Sequence, residues 1–211
     1  MWTLFTNIGD AAVTLPVAAV CACWLALFDV RLACRWAAML AAGIALVGAS
    51  KVFYAGWGIS FPVSDFRMIS GHAMLSTSVW MVALALQLKW WRLPAFPGIV
   101  AGLGIGALTG ASRVMDLSHS VPEVVTGWIL GALVALLFLR KALAAEFEGA
   151  RPAWSAASFL CVCVLAYGHQ APLQRLIETR SPQLHSHAHS IMAFAGRVKY
   201  RLQSYEGTLA R

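Results

Sequence analysis

The chain has 211 residues, 60% of them hydrophobic and only 12% charged, with sixteen Lys and Arg against nine Asp and Glu for a net charge of +7. A soluble domain of this size cannot hide so much apolar surface, and a mean hydropathy of +0.71 points instead to an integral membrane protein. The basic excess then bears on membrane orientation, and no nucleic-acid partner is expected.

A bilayer core asks for about 20 apolar residues per helix. Segments at 11–28, 36–58, 68–88, 93–115, 121–139 and 153–169 meet or approach that length, the last being the shortest. They predict an all-α, polytopic transmembrane bundle of about six helices. The first segment reads as a span and not as a signal peptide, because "MWTLFTNIGD" has no basic residue and "DVRLACR" is a poor cleavage site. Cys21, Cys23, Cys34, Cys161 and Cys163 fall in apolar runs without the spacing of a zinc site or a redox pair, so they read as packing residues. With no internal repeat, the simplest partition is a membrane domain over 1–169 and a polar, basic tail over 170–211.

Within the tail, Ile191, Phe194, Val198, Leu202, Tyr205 and Leu209 recur at helical spacing beside Arg197, Lys199 and Arg201. That pattern predicts an amphipathic helix on an anionic membrane surface. The alternating His185, His187 and His189 read as an exposed linker and not as a metal site.

Arg31, Arg35, Lys89, Arg92, Arg140, Lys141 and Arg151 lie in alternate connections, which the positive-inside rule places in the cytoplasm. The opposite connections hold only Lys51, Arg67 and Arg113. A six-span count leaves the basic tail on that poorly charged side, against its charge.

On that side three polar clusters converge: Lys51 near the end of the second span, Ser70-Gly71-His72 opening the third, and "SRVMDLSHSVPEVVTGW" joining the fourth to the fifth. Ionisable residues at the margin of a membrane bundle are costly unless they work. Two histidines, a lysine, an arginine, a serine and a carboxylate suit attack on a phosphate ester without a metal, one imidazole as nucleophile and the other as proton donor. Ser70-Gly71 at a helix start can present N–H groups and a hydroxyl to an anion. Lys51 and Arg113 neutralise phosphoryl oxygens. Pro122 suits the first helical turn, so His119 and Glu123 meet at i,i+4, and the carboxylate fixes the imidazole's tautomer. Asp116 reads as a turn residue.

These clusters resemble the type-2 phosphatidic acid phosphatase (PAP2) superfamily, whose motifs run K-x6-R-P, P-S-G-H and S-R-x5-H-x3-D. Ser70-Gly71-His72 matches the second, Ser112-Arg113 with His119 and Glu123 follows the third, and Gly127 matches its usual continuation. The resemblance covers about residues 36–140. It implies that His119 is the nucleophile, forming a phosphohistidine, that Glu123 orients it, and that His72 protonates the leaving oxygen. It further implies that Lys51, Ser70, Gly71 and Arg113 hold the phosphate and that no metal or other cofactor is needed.

The chain departs from the pattern at three places. Gly58-Ile59 stands where the family has Arg-Pro, Ile69 replaces a proline, and Glu123 replaces aspartate. Arg67, five residues before His72, is the candidate for the missing phosphate-binding guanidinium. The family implies a lipid phosphate or diphosphate substrate, of undecaprenyl diphosphate, phosphatidylglycerol phosphate, phosphatidic acid or lipid A type. It also implies a bacterial inner membrane with the site facing the periplasm. A lipid phosphotransferase using the same residues, or a non-catalytic lipid-phosphate binder, is the alternative.

Overall fold

A computed structural model describes residues 7–57 and 66–166. Its six helices are α1 (Ala11–Ala26), α2 (Val30–Trp57), α3 (Gly71–Trp90), α4 (Phe96–Met115), α5 (Val121–Ala142) and α6 (Pro152–Ala166). The all-α bundle expected from the apolar segments is what the described residues form. Four stretches are long and apolar enough to cross a membrane: Val30–Tyr54, Gly71–Trp90, Phe96–Met115 and Val121–Ala142. The protein is an integral membrane protein. Helices α1 and α6, with 16 and 15 residues, rise only about 22–24 Å, short of the roughly 30 Å hydrocarbon core. The tail from residue 170, with its amphipathic and histidine-rich stretches, lies outside the described residues, as do Gly58 and Ile59.

The second helix starts earlier than its apolar run suggests, at Val30 and not near 36. Asp29 is the reason: its Oδ1 accepts the N–H groups of Arg31 (2.8 Å) and Leu32 (3.3 Å), satisfying donors that a helix start leaves open.

Helix α3 is the hub and packs most extensively on α4 and α5. Every fourth residue of α4 from Gly98 to Gly110 is glycine (Gly98, Gly102, Gly106, Gly110), and all four are buried. A methyl group on Gly98 would stand 2.7 Å from the backbone of Leu84, while one on Gly102 or Gly106 would overlap Met81 or Thr77. The stripe thus lets the two backbones touch, as small residues do between membrane helices. Hydroxyls inside the contact are satisfied: Ser76 and Thr109 share a hydrogen bond of 2.9 Å, and Thr77 donates to Ala73 O at 2.6 Å.

Helices α3 and α4 end alike. After α3, Leu93 N–H donates to Leu88 O and Arg92 N–H to Lys89 O; after α4, Ser118 N–H donates to Arg113 O and Leu117 N–H to Val114 O. Both are Schellman turns, with Arg92 (φ 58°) and Leu117 (φ 53°) at the left-handed position that glycine usually takes. The second turn delivers the chain directly to His119.

At the basic end, Trp90 stacks on Phe159 with centroids 6.5 Å apart and meets Phe147 edge-on, and Trp24 Nε1 donates to Ser158 Oγ. Asp29, Arg31, Arg35 and Lys141 line one cleft there, and Lys89 Nζ donates to Leu143 O. The basic connections therefore gather at one end of the bundle, opposite the residues described next.

Candidate active site

The site is built where α3, α4 and α5 meet at the end away from the basic cleft. Ser70 is the N-cap of α3 and Ser120 the N-cap of α5. Ser70 N–H donates to Glu123 O at 3.1 Å, so the two helix starts are stitched together. Gly127 makes that approach possible, because a methyl group there would overlap Ser70 O. This gives a physical reason for a glycine four residues beyond Glu123.

Glu123 is the hub of the site and is almost fully buried, at 2% exposure. It sits in the first turn of α5 behind Pro122, where the helix dipole favours a carboxylate. Oε1 accepts the backbone N–H groups of Arg67 (2.9 Å) and Met68 (3.3 Å). Oε2 accepts Ser120 N–H (3.2 Å), one half of a capping box, and lies 2.7 Å from His119 Nδ1. A carboxylate only accepts, so Nδ1 carries the proton and Nε2 keeps its lone pair. Asp116, by contrast, is the C-cap of α4, in line with its reading as a turn residue.

Burial pushes the His119 imidazole below its ordinary value. The hydrogen bond and charge of Glu123 oppose that shift, while Arg113 and Lys51 reinforce it. His119 is therefore biased toward the neutral ring. The same interactions place Lys51 from α2 and Arg113 from α4 within electrostatic reach of the ring and of each other. Lys51 Nζ also lies 4.0 Å from where a Cβ on Gly71 would stand. Among the described residues, Ser70 Oγ and Arg113 Nε are buried with no hydrogen-bond partner. Both are donors.

Of the residues singled out in the sequence, Lys51, Arg67, Ser70, Gly71, His72, Arg113, His119 and Glu123 all fall at this end. Arg67 enters through Glu123: besides its backbone N–H, its Nε stands 3.9 Å from Oε1, on a side chain half exposed. Ile69, where the motif has proline, has an N–H that proline lacks, and donates it to Ser50 Oγ at 3.1 Å. Ser50 in turn donates to Val47 O, so α2 holds the loop that precedes α3.

Asp10 escaped the sequence reading. Its Oδ1 caps α1 through Ala12 N–H at 2.8 Å, and its Oδ2 lies 3.5 Å from His72 Nε2. An aspartate ahead of an apolar run signals a helix cap, but nothing local signals a partner 62 positions along the chain.

The PAP2 superfamily model matches residues 53–146, which hold His72, Arg113, His119 and Glu123. A Klebsiella pneumoniae relative, described as an uncharacterized 22.5 kDa protein in the cps region, is 31% identical over 189 residues, covering 83% of this chain and 88% of that protein. This chain belongs to the PAP2 superfamily. PAP2 proteins are in general phosphatases, so the chain is a membrane protein of phosphatase type. The PAP2 match begins after Asp10 and Lys51, so both lie outside it. No solved structure matches the chain.

Proposed function

We propose that the protein is a membrane phosphatase that hydrolyses a lipid phosphate or diphosphate through a phosphohistidine on His119, without a metal. One observation carries the reading: the 2.7 Å bond from His119 Nδ1 to buried Glu123, which leaves Nε2 as the nucleophilic nitrogen of a ring biased toward neutrality. In the first step Nε2 attacks phosphorus, the bond to the leaving oxygen breaks, and His72 gives that oxygen a proton. In the second, water cleaves the phosphorus–nitrogen bond, with His72 taking the water's proton back.

The phosphoryl oxygens are held by Lys51, by Arg113 and by Ser70 Oγ with the N–H groups that open α3 at Gly71. Two features support this cradle: Ser70 Oγ and Arg113 Nε are buried donors that an anion would satisfy, and a helix N-terminus favours phosphate. Arg67 adds a guanidinium at the rim. An apolar hollow of about 390 Å³, lined by residues that include Val13, Trp80, Ile105 and Leu108, reaches Thr109, one helical turn below Arg113. It supports an amphiphilic substrate, with headgroup in the cradle and hydrocarbon alongside the bundle. The basic cleft at the far end supports placing the site on the periplasmic side of a bacterial inner membrane. The membrane domain over 1–169 carries this activity.

The test is phosphate release by purified protein from phosphatidic acid, phosphatidylglycerol phosphate, undecaprenyl diphosphate and a lipid A phosphate, in chelator. Release from at least one, abolished by His119→Ala, is the expected result. Equal release by that variant, or none by the wild type, would refute the reading. A phosphoryl group transferred to a second lipid in place of water would favour a phosphotransferase.

A further inference from the structure

Helix α1 lies outside the matched PAP2 region, yet its first turn reaches the site. Three contacts fix its start: Trp80 Nε1 donates to Ile8 O at 3.1 Å, Thr14 Oγ1 donates to Asp10 O at 2.9 Å, and Gly9 packs so closely on Thr109 that a methyl group there would overlap it. Asp10 is thereby held with its carboxylate divided between two tasks. Oδ1 caps the helix and Oδ2 stands 3.5 Å from His72 Nε2, with Asp10 itself 8% exposed.

The surrounding charges make this pair consequential. Among the described residues, the other charged or imidazole groups at this end are Lys51 on α2, Arg67 before α3, Arg113 and Asp116 at the end of α4, and His119 with Glu123 at the start of α5. Three of these are basic side chains, and the Glu123 carboxylate is occupied by four N–H groups. A proton donor must meet the leaving oxygen with the right ring nitrogen, so the group that holds the His72 ring in place bears on the reaction.

We propose that Asp10 is the positioning residue of the proton donor, fixing the orientation of the His72 ring. The proposal rests on the phosphatase reading for what His72 does with its proton. With Nε2 turned to Asp10, Nδ1 delivers the proton as the phosphorus–oxygen bond breaks and its electron pair passes to the leaving oxygen. His72 ends neutral with Nε2–H still facing an ionised Asp10, and recovers its proton from the water that hydrolyses the phosphohistidine.

Asp10→Asn separates the two tasks of the side chain, because asparagine caps a helix as well as aspartate does but carries no charge. Asp10→Ser, another good cap, serves as the second variant. In full-length protein the wild type and both variants are expected to melt together. On a lipid phosphate with an alkyl leaving group, kcat should fall about tenfold in the variants with KM nearly unchanged. On p-nitrophenyl phosphate, whose leaving group needs no proton, the deficit should largely vanish. Independently of activity, nitrogen-15 spectra of the histidine rings, assigned with His72→Gln, should show the His72 Nε2 resonance moved in Asp10→Asn while the His119 resonances stay in place. An unmoved His72 Nε2 resonance with unchanged kcat would overturn the proposal, as would equal deficits on both leaving groups. If the wild type releases no phosphate but the His72 resonance moves in Asp10→Asn, the phosphatase reading falls while the Asp10–His72 contact stands.

Discussion

Replacing Glu123 by aspartate gives this chain the residue of the family motif, and the structure predicts damage and not repair. The substitution keeps the charge but withdraws the carboxylate by one carbon–carbon bond, about 1.5 Å. The 2.7 Å bond to His119 Nδ1 would stretch toward 4 Å, roughly outside hydrogen-bonding range, unless α5 moved to follow. It cannot follow freely, because Gly127 already rests against Ser70 O. Glu123 is also the shared acceptor for Arg67, Met68 and Ser120, so a shortened side chain must abandon some of four donors. At 2% exposure solvent does not replace them, and each lost bond to the carboxylate costs about 1.5–3 kcal/mol. Displacing the nucleophilic ring by about 1 Å lowers turnover on the order of 100-fold. Thermal unfolding in detergent and steady-state phosphate release measure the two effects. Glu123→Gln, which keeps the reach and loses the charge, is the control. A Glu123→Asp protein as stable and as active as the wild type would refute the argument that side-chain length is matched to this cluster.

Three further outcomes follow from the same geometry. Gly127→Ala forces a methyl group into Ser70 O and should destabilise the protein by about 1–3 kcal/mol while lowering activity, read by the same unfolding and turnover assays. Arg67→Ala removes a rim guanidinium but leaves the backbone N–H on Glu123, so KM should rise several-fold with kcat nearly kept; unchanged kinetics would end its phosphate-binding role. Because burial holds His119 below its ordinary value, about 6.5, the acid limb of kcat/KM should lie below that pH, and Glu123→Gln, which removes the opposing charge, should lower it further. The stability sign is the same: the unfolded chain takes the proton first, so His119's contribution is complete above about pH 6.5 and is lost as pH falls toward the folded value.

The legible part of this protein was its interruptions. A chain so apolar makes every buried charge conspicuous, and His119 with Glu123 declared itself through helical spacing and Pro122. Spans were legible as apolar runs, but the start of α2 was not, because Asp29 carries the helix back through Arg31 and Arg35, which composition assigns to a loop. Long-range partners left no local trace. The use of Glu123 by the N–H groups of Arg67 and Met68, and of His72 by Asp10, depends on helix packing that no short window records. The replacement of proline by Ile69 likewise made sense only once its N–H was found on Ser50. The glycine stripe of α4 sits inside an apolar run, where spacing alone does not say which neighbour it admits.

The most direct measurement is to quench purified protein during turnover of a hydrolysed lipid phosphate and map the phosphoryl group by mass spectrometry of alkaline-handled peptides. A transient adduct on the peptide containing His119, absent from His119→Ala, is the expected result. Turnover without any protein-bound phosphoryl group, or an adduct on a different residue, would contradict it.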